Sequence, residues 1–238
     1  MRRFFAPKEN FRDRKIVLDA DETRHLRDVL RLGAGARVSV FDGAGREFSG
    51  AVESVGKKET ILEIIEETPP AAPESALGLT LAVALLKGEK FELVIQKAVE
   101  LGAMRLLPVN TKRADVRLKD ADKRLERWRR IALEASKQCG RARLMEILPP
   151  RDFSEAIERA EGAKILFAER GGASFESLEP DTKITAFSGP EGGWEDTEIE
   201  AARAAGVSIV TLGGRILRAE TAVITIAALL QHRFGDLG

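Results

Sequence analysis

Two glycine-rich stretches near the end of the chain carry the residue types best suited to holding a ligand. Ser188-Gly189-Pro190-Glu191-Gly192-Gly193 and Leu212-Gly213-Gly214-Arg215-Ile216-Leu217-Arg218 each follow a short apolar run and each precede a helical pattern. Glycine lets a backbone approach a ligand closely and adopt conformations closed to other residues. The free N–H groups at a helix start can bond polar ligand atoms. In open parallel sheets, ligands bind at such strand-to-helix loops. Neither stretch is a G-x-x-x-x-G-K-[ST] phosphate loop or a G-x-G-x-x-G after a strand, which argues against a P-loop NTPase and a standard dinucleotide dehydrogenase. Glycine content alone is also met by two tight turns with no ligand, so at this level the ligand stays open.

The elements that must position these loops are legible from hydrophobic period. Strands are expected at Lys15–Leu18, Arg37–Phe41, Glu47–Val52 and Thr60–Glu66, with a hairpin turn at Asp42-Gly43-Ala44-Gly45. A short helix carrying Leu26, Val29 and Leu30 intervenes, with Asp21 or Thr23 as its cap. Thr68 to Ser75, with Pro69, Pro70 and Pro73, can continue neither a ladder nor a helix and reads as a linker. Residues 1–70 and 76–238 are therefore expected to be separate domains. After the linker the pattern alternates. Strands are expected at Leu79–Leu86, Arg105–Val109, Lys164–Ala168, Ile184–Phe187 and Ser208–Leu212. Helices are expected at Phe91–Leu101, Lys123–Gln138, Thr197–Ala205 and Ala219–His232. Strands separated by helices imply an α/β fold with a parallel sheet covered on both faces.

Composition narrows the class. With 44% apolar and 32% charged residues, the 238-residue chain has an ordinary globular profile. No apolar run approaches a membrane span or a secretory signal, and a single cysteine, Cys139, excludes an internal disulfide framework, so a reducing cytoplasm is expected. One cysteine with two histidines, His25 and His232, gives no zinc signature, and no metal is expected. Net charge is zero, yet Arg105–Arg151 holds 14 basic against 6 acidic residues, and Asp152–Gly238 holds 8 against 15. Local clusters of this kind, rather than net charge, set the field that a polyanion meets.

Motifs spread along nearly the whole chain resemble one family. The loops Ser188–Gly193 and Leu212–Ala222 are similar to the two C-terminal signatures of the RsmE-type 16S ribosomal RNA (uracil-N3) methyltransferases, within the SPOUT or α/β-knot superfamily. Arg2-Arg3-Phe4-Phe5 resembles that family's opening, and His25 to Arg31 with Gly33 its H-x-x-x-V-L-R motif. Phe91–Gly102 resembles its K-x-x-E-L-G helix, and Arg127-Trp128 to Arg141, with Glu134-Ala135 and Gln138, its R-W-x-x-I-x-x-E-A-x-x-Q-x-x-R helix. Trp194 stands where the family often has Phe. Glu195 replaces a Ser or Thr cap, so the next helix is expected to start at Thr197, with Glu200 completing a capping box.

The resemblance implies a PUA-like β-barrel followed by a trefoil-knotted parallel-sheet domain that binds S-adenosylmethionine, as a homodimer. Carried over by position, Phe167, Ser188, Gly189, Glu191, Gly192 and Gly193 would form one wall of the cofactor pocket. Leu212, Gly213, Ile216 and Leu217 would form the other. The N3 of uracil must lose a proton before it accepts a methyl group. Arg218 is expected to stabilise the resulting charge, with Glu191 or Glu220 accepting the proton. The partner would be 16S rRNA or the assembled small subunit. It would be gripped by Arg2, Arg3, Arg27 and Arg31 in the first domain and by Arg113, Lys123, Arg124, Arg127, Arg130 and Arg141 in the basic middle. His25 is expected to pack, and His232 to sit as a charge at a helix end. A non-catalytic RNA-binding protein, or a related enzyme acting on transfer RNA or a ribose hydroxyl, are the competing readings.

Overall fold

The computed structural model describes residues 2–116 and 121–238. The chain divides into two compact units: Met1–Glu74 with Ser136–Leu144, and Ser75–Ala135 with Met145–Gly238.

The first unit is mostly β. Its elements are β1 (Arg2–Phe5), β2 (Phe11–Arg12), β3 (Lys15–Leu18), α1 (Ala20–Arg24), β4 (Arg37–Phe41), β5 (Glu47–Val55) and β6 (Thr60–Thr68). They pair in the order β1-β4-β5-β6-β3-β2, all antiparallel except β1 beside β4. Period-2 alternation turns Phe4, Ile16, Leu18, Val38, Val40 and Leu62 into one core. The β4–β5 hairpin turns where expected, with Gly43 and Gly45 at positive φ and Asp42 Oδ1 accepting from the backbone N–H groups of Ala44 and Arg46. Helix α1 is capped by Asp19, not by Asp21 or Thr23. The Asp19 carboxylate accepts from the N–H groups of Asp21 and Glu22 at 3.0 and 2.9 Å, because its own extended backbone places the side chain over the first turn. His25 packs beside the Phe4 ring.

Residues 136–144, expected in the second domain, belong to this first unit. The N–H of Leu144 bonds the carbonyl of Gly43, and that of Ala72 bonds the carbonyl of Gly140. Three ion pairs reinforce the arrangement. Arg3 chelates Glu47 at 3.0 and 3.2 Å and donates to the carbonyls of Ser136 and Arg141. Lys137 meets Glu22 at 2.6 Å, both side chains under 10% exposed, and Arg141 meets Glu74 at 2.7 Å. Glu47 also accepts from the Ser39 hydroxyl and the Ala71 N–H. Burial pushes the Glu47 carboxyl up, but these donors outweigh it and hold it below the usual carboxylate range.

The second unit contains β7 (Gly78–Ala84), α2 (Lys90–Glu100), β8 (Arg105–Asn110), α3 (Ala121–Cys139, whose last residues enter the first unit), β9 (Glu146–Ile147), β10 (Arg151–Asp152), α4 (Phe153–Glu158), β11 (Ala163–Phe167), β12 (Ala173–Ser174), β13 (Lys183–Ser188), α5 (Asp196–Ala204), β14 (Ser208–Thr211) and α6 (Ala219–Phe234). The strand order is β10-β8-β7-β13-β11-β14-β12, with β9 also on β8, and every pairing is parallel. Central strands buried on both faces explain the continuous apolar runs of the sequence. Helix α5 begins one residue before the expected Thr197, and its cap lies two residues before it. Glu195 is its cap residue, and Glu198, three residues on, reaches back to the Glu195 N–H at 3.0 Å. Among the described residues, no helix is long and apolar enough to cross a membrane.

Candidate functional site

Strand register brings the two glycine loops together. In the parallel pair β11–β13, Phe167 lies beside Ser188, and in β11–β14 it lies beside Val210, so the three strands end at one level. Between the loops that leave β13 and β14 is a cavity of about 320 Å³, within the range of small-molecule sites. Phe167, Trp194, Ile216, Leu217, Ala222 and Ile226 supply apolar surface, and Lys90, Glu169, Glu191, Arg215 and Arg218 supply charge. Ile216 is 62% exposed, an apolar side chain left open at the cavity rather than buried in a core.

The glycines act in different ways. A Cβ on Gly189 would sit 3.0 Å from the Trp194 indole nitrogen, so a side chain there would press on the ring and the ring would have to give way. That indole N–H donates to the carbonyl of Phe167 at 2.9 Å and locks the ring across the strand ends. Gly193 and Gly213 adopt positive φ. Gly192 faces away from the cavity: a Cβ there would meet the Cβ and carbonyl oxygen of Arg113 at 3.2 Å. The segment Thr111–Val116 thus lies against the first loop. The Arg113 guanidinium reaches the Gly192 carbonyl at 3.4 Å, and the Lys112 ammonium reaches Glu195 at 2.7 Å.

One wall is ionic. Lys90, the first residue of α2, reaches Glu191 at 3.1 Å and Glu220 at 3.6 Å. Glu191 also accepts from the backbone N–H of Lys87 at 3.3 Å. Burial pushes the Glu191 carboxyl up, but its own backbone N–H, the Lys90 ammonium and the Lys87 N–H together hold it below the usual carboxylate range. Glu220 stands behind Lys90. Its Oε2 is buried and has no hydrogen-bond partner among the described residues. Arg218 precedes α6 in extended conformation and its side chain lines the cavity.

The structure therefore brings Phe167, Ser188, Gly189, Glu191, Gly193, Leu212, Ile216, Leu217 and Arg218 to one cavity, with Gly192, Gly213 and Glu220 behind its lining. Lys90, Glu169 and the buried indole bond were not anticipated. A signal for Lys90 existed, since a cation at a helix start opposes the macrodipole. The expected RNA contacts divide. Arg2, Arg31, Arg113, Lys123, Arg124, Arg127 and Arg130 are exposed, although Arg127 pairs with Glu92 at 2.8 Å. Arg27 pairs with Asp28. Arg3 and Arg141 are 11% and 5% exposed and engaged with carboxylates, so they brace the first unit instead of facing solvent. Sequence distance hid this, because their partners lie 44 and 67 residues away. Near the end of α6, His232 Nδ1 lies 3.1 Å from the carbonyl oxygen of Leu237. Among the described residues, no His, Cys, Asp or Glu cluster is arranged to hold a metal.

A family model described as an RNA methyltransferase domain matches residues 73–231, and one described as an RNA methyltransferase PUA domain matches residues 18–65. A protein of Synechocystis named ribosomal RNA small subunit methyltransferase E is 34% identical over 96% of this chain and 78% of its own length. The Bacillus subtilis protein of the same name is 28% identical over 91% of this chain and 89% of its own. The crystal structure of the Neisseria gonorrhoeae protein of that name, bound to S-adenosyl methionine, is 33% identical and superposes with a TM-score of 0.92 over 100% of both chains. A Legionella pneumophila protein described as a putative methyltransferase in complex with the same cofactor is 31% identical, with a TM-score of 0.92 over 99% of each chain.

Proposed function

This chain belongs to the RNA methyltransferase family, and from that premise we propose that it uses S-adenosylmethionine to methylate N3 of a uridine in the 16S ribosomal RNA of the small subunit. The observation that carries this reading is the cavity at the ends of β11, β13 and β14. Its apolar side chains and glycine backbone suit the faces and edge of a purine, and its carboxylates suit a cationic ligand. Phe167, Ile216 and Leu217 would hold the adenine, with backbone groups of Gly189, Gly193, Leu212 and Gly213 at its edge. Glu169 and Glu191 would balance positive charge. Bound S-adenosylmethionine supplies a methyl group on a sulfonium that is already a good leaving group.

The chain's own task is then to align the base and favour the deprotonated imide. Arg218, in the cavity wall, is the cation for a uracil carbonyl. Glu191 is tied to Lys90 and held below the usual carboxylate range, which makes it a weak proton acceptor. In this reading Glu191 and Glu220 orient a cation. The base must leave its stack to reach such a cavity. The exposed cations of each unit, Arg2 and Arg31 in the first and Arg113, Lys123, Arg124 and Arg130 in the second, would neutralise phosphates. We extend the reading to a cytoplasmic homodimer whose second unit threads a trefoil knot, acting on rRNA or on the assembled subunit.

Calorimetry with S-adenosylmethionine is expected to give one site per chain, and absence of binding would favour a non-catalytic RNA-binding protein. Mass spectrometry of 16S rRNA from a strain lacking this gene is expected to show loss of one 3-methyluridine. Its persistence, with no redundant enzyme, would overturn the assignment. Arg218→Ala is expected to slow methyl transfer by about 100-fold, the usual cost of removing one charge-stabilising donor, with cofactor affinity nearly unchanged. Single-turnover assays check this, and unchanged turnover would remove Arg218 from the reaction. RNA affinity should fall steeply between about 50 and 200 mM salt if phosphate contacts dominate.

A further inference from the structure

Lys90 occupies a position that helix energetics disfavour. As the first residue of α2 it places an ammonium at the positive end of the helix dipole. Two elements compensate it there. Glu191 comes from the loop after β13 and Glu220 from the first turn of α6, and the side chain is still about one-third exposed, at 35%, in the cavity it lines. Only the contact to Glu191 is a hydrogen bond. At 3.6 Å the Glu220 carboxylate attracts Lys90 without a full bond, and its buried Oε2 has no other donor among the described residues. A structural ion pair would be expected to close that gap. Here the ammonium is held at the cavity wall with a donor to spare, since a lysine carries three N–H bonds.

We propose that Lys90 is a second catalytic cation: its ammonium, oriented by Glu191 and Glu220, donates to a carbonyl oxygen of the target uracil and stabilises the negative charge that forms when N3 is deprotonated. The inference rests on the function proposed above. In the step so assisted, N3 loses its proton to solvent water and keeps the electron pair. That pair forms the new N–C bond to the methyl carbon as the C–S bond breaks, its electrons returning to sulfur. Lys90 gives up no proton and acts throughout as a charge. Glu191 from the loop after β13 and Glu220 from α6 pair with it; Arg218 and Arg215 from the loop before α6 and Glu169 from the loop after β11 line the same cavity; Lys87 turns its own ammonium away to Asp115 at 2.6 Å. A cation beside the imide lowers the pH at which N3 ionises, so removing it moves the rising limb of the rate profile to higher pH.

The test compares Lys90→Gln and Lys90→Arg with the wild-type protein. For Lys90→Gln, single-turnover methyl transfer to 16S rRNA at pH 7 is expected to fall about 100-fold. The rising limb of the pH profile should shift upward by about one unit or more, as expected on losing a neighbouring opposite charge. Lys90→Arg should keep most of the rate and the original limb. The ultraviolet titration of a uridine-containing target RNA, bound together with S-adenosylhomocysteine, should show the same upward shift without any turnover. Single-turnover rates are taken with S-adenosylmethionine saturating each variant, so that a change in cofactor affinity does not enter them. A Lys90→Gln rate like that of the wild type, or a loss equal at every pH, would each overturn the proposal. If the wild-type protein itself transfers no methyl group to this RNA, the proposed function has failed instead.

Discussion

Glu47→Ala is expected to destabilise the protein by about 3–5 kcal/mol, the cost of leaving a buried charge without its partner. Glu47 is 4% exposed and is the acceptor for Arg3, the Ser39 hydroxyl and the Ala71 N–H. Removing it leaves the Arg3 guanidinium without its carboxylate, with the carbonyls of Ser136 and Arg141 and the face of the Phe41 ring as remaining contacts. Glu47→Gln should cost less, because an amide keeps an acceptor although it loses the charge. Denaturant unfolding of the three proteins checks the order. The same site predicts an acid response. The folded carboxyl lies below its ordinary value of 4.5, so its contribution is present above about pH 4.5 and is lost as pH falls through the lowered folded value. Stability of the wild-type protein should therefore drop more steeply below pH 4.5 than that of Glu47→Ala. Parallel acid curves would show that the pair contributes nothing.

Trp194→Ala is expected to be as damaging and to reach the site as well. The ring is 7% exposed, packs on Phe153 at a centroid distance of 4.9 Å, and gives its N–H to Phe167. Truncation leaves a cavity in the core beside the strand ends and costs about 3–5 kcal/mol. It also releases Gly189 and the Phe167 carbonyl, two parts of the cavity wall, so under the proposed function calorimetry should show S-adenosylmethionine affinity falling well beyond tenfold. Trp194→Phe keeps a ring against Gly189 but leaves the Phe167 carbonyl without its donor, a loss of about 1 kcal/mol, with cofactor still bound. If Trp194→Ala bound cofactor like the wild type, the indole would have no part in shaping the pocket.

These two residues also mark where sequence reading succeeds and where it stops. Periodic, buried strands such as Ile184–Phe187 and Ser208–Leu212 are legible to within a residue or two, and so are the glycine loops that follow them, which line one cavity. Short elements were not: α4 spans six residues and β9, β10 and β12 two each, too few to display a period. β1 was hidden for another reason. Arg2-Arg3-Phe4-Phe5 reads as a basic opening, and its strand character comes from parallel pairing with β4. Charge was the least legible property. Arg3 and Arg141 look like Arg2 and Arg31 in the sequence, yet only the fold decides which arginine meets a carboxylate and which meets solvent. Helix α5 shows the reverse case. The Glu at position 195 seemed unable to cap, so the start was expected later, but Glu198 satisfies the Glu195 N–H and the start does not move.

The assignment of residues 136–144 to the first unit has a consequence for how such a protein can change over evolutionary time. The chain crosses between units after Glu74, after Ala135 and after Leu144, so the first unit is not a contiguous cassette. A gene fragment ending at the proline linker would keep the Arg3–Glu47 pair but lack the Ser136 and Arg141 carbonyls that Arg3 bonds and the cations that meet Glu22 and Glu74. Recombination could not exchange the first unit for another by a single cut. It would also have to import a matching insert for residues 136–144 from within the sequence of the second unit.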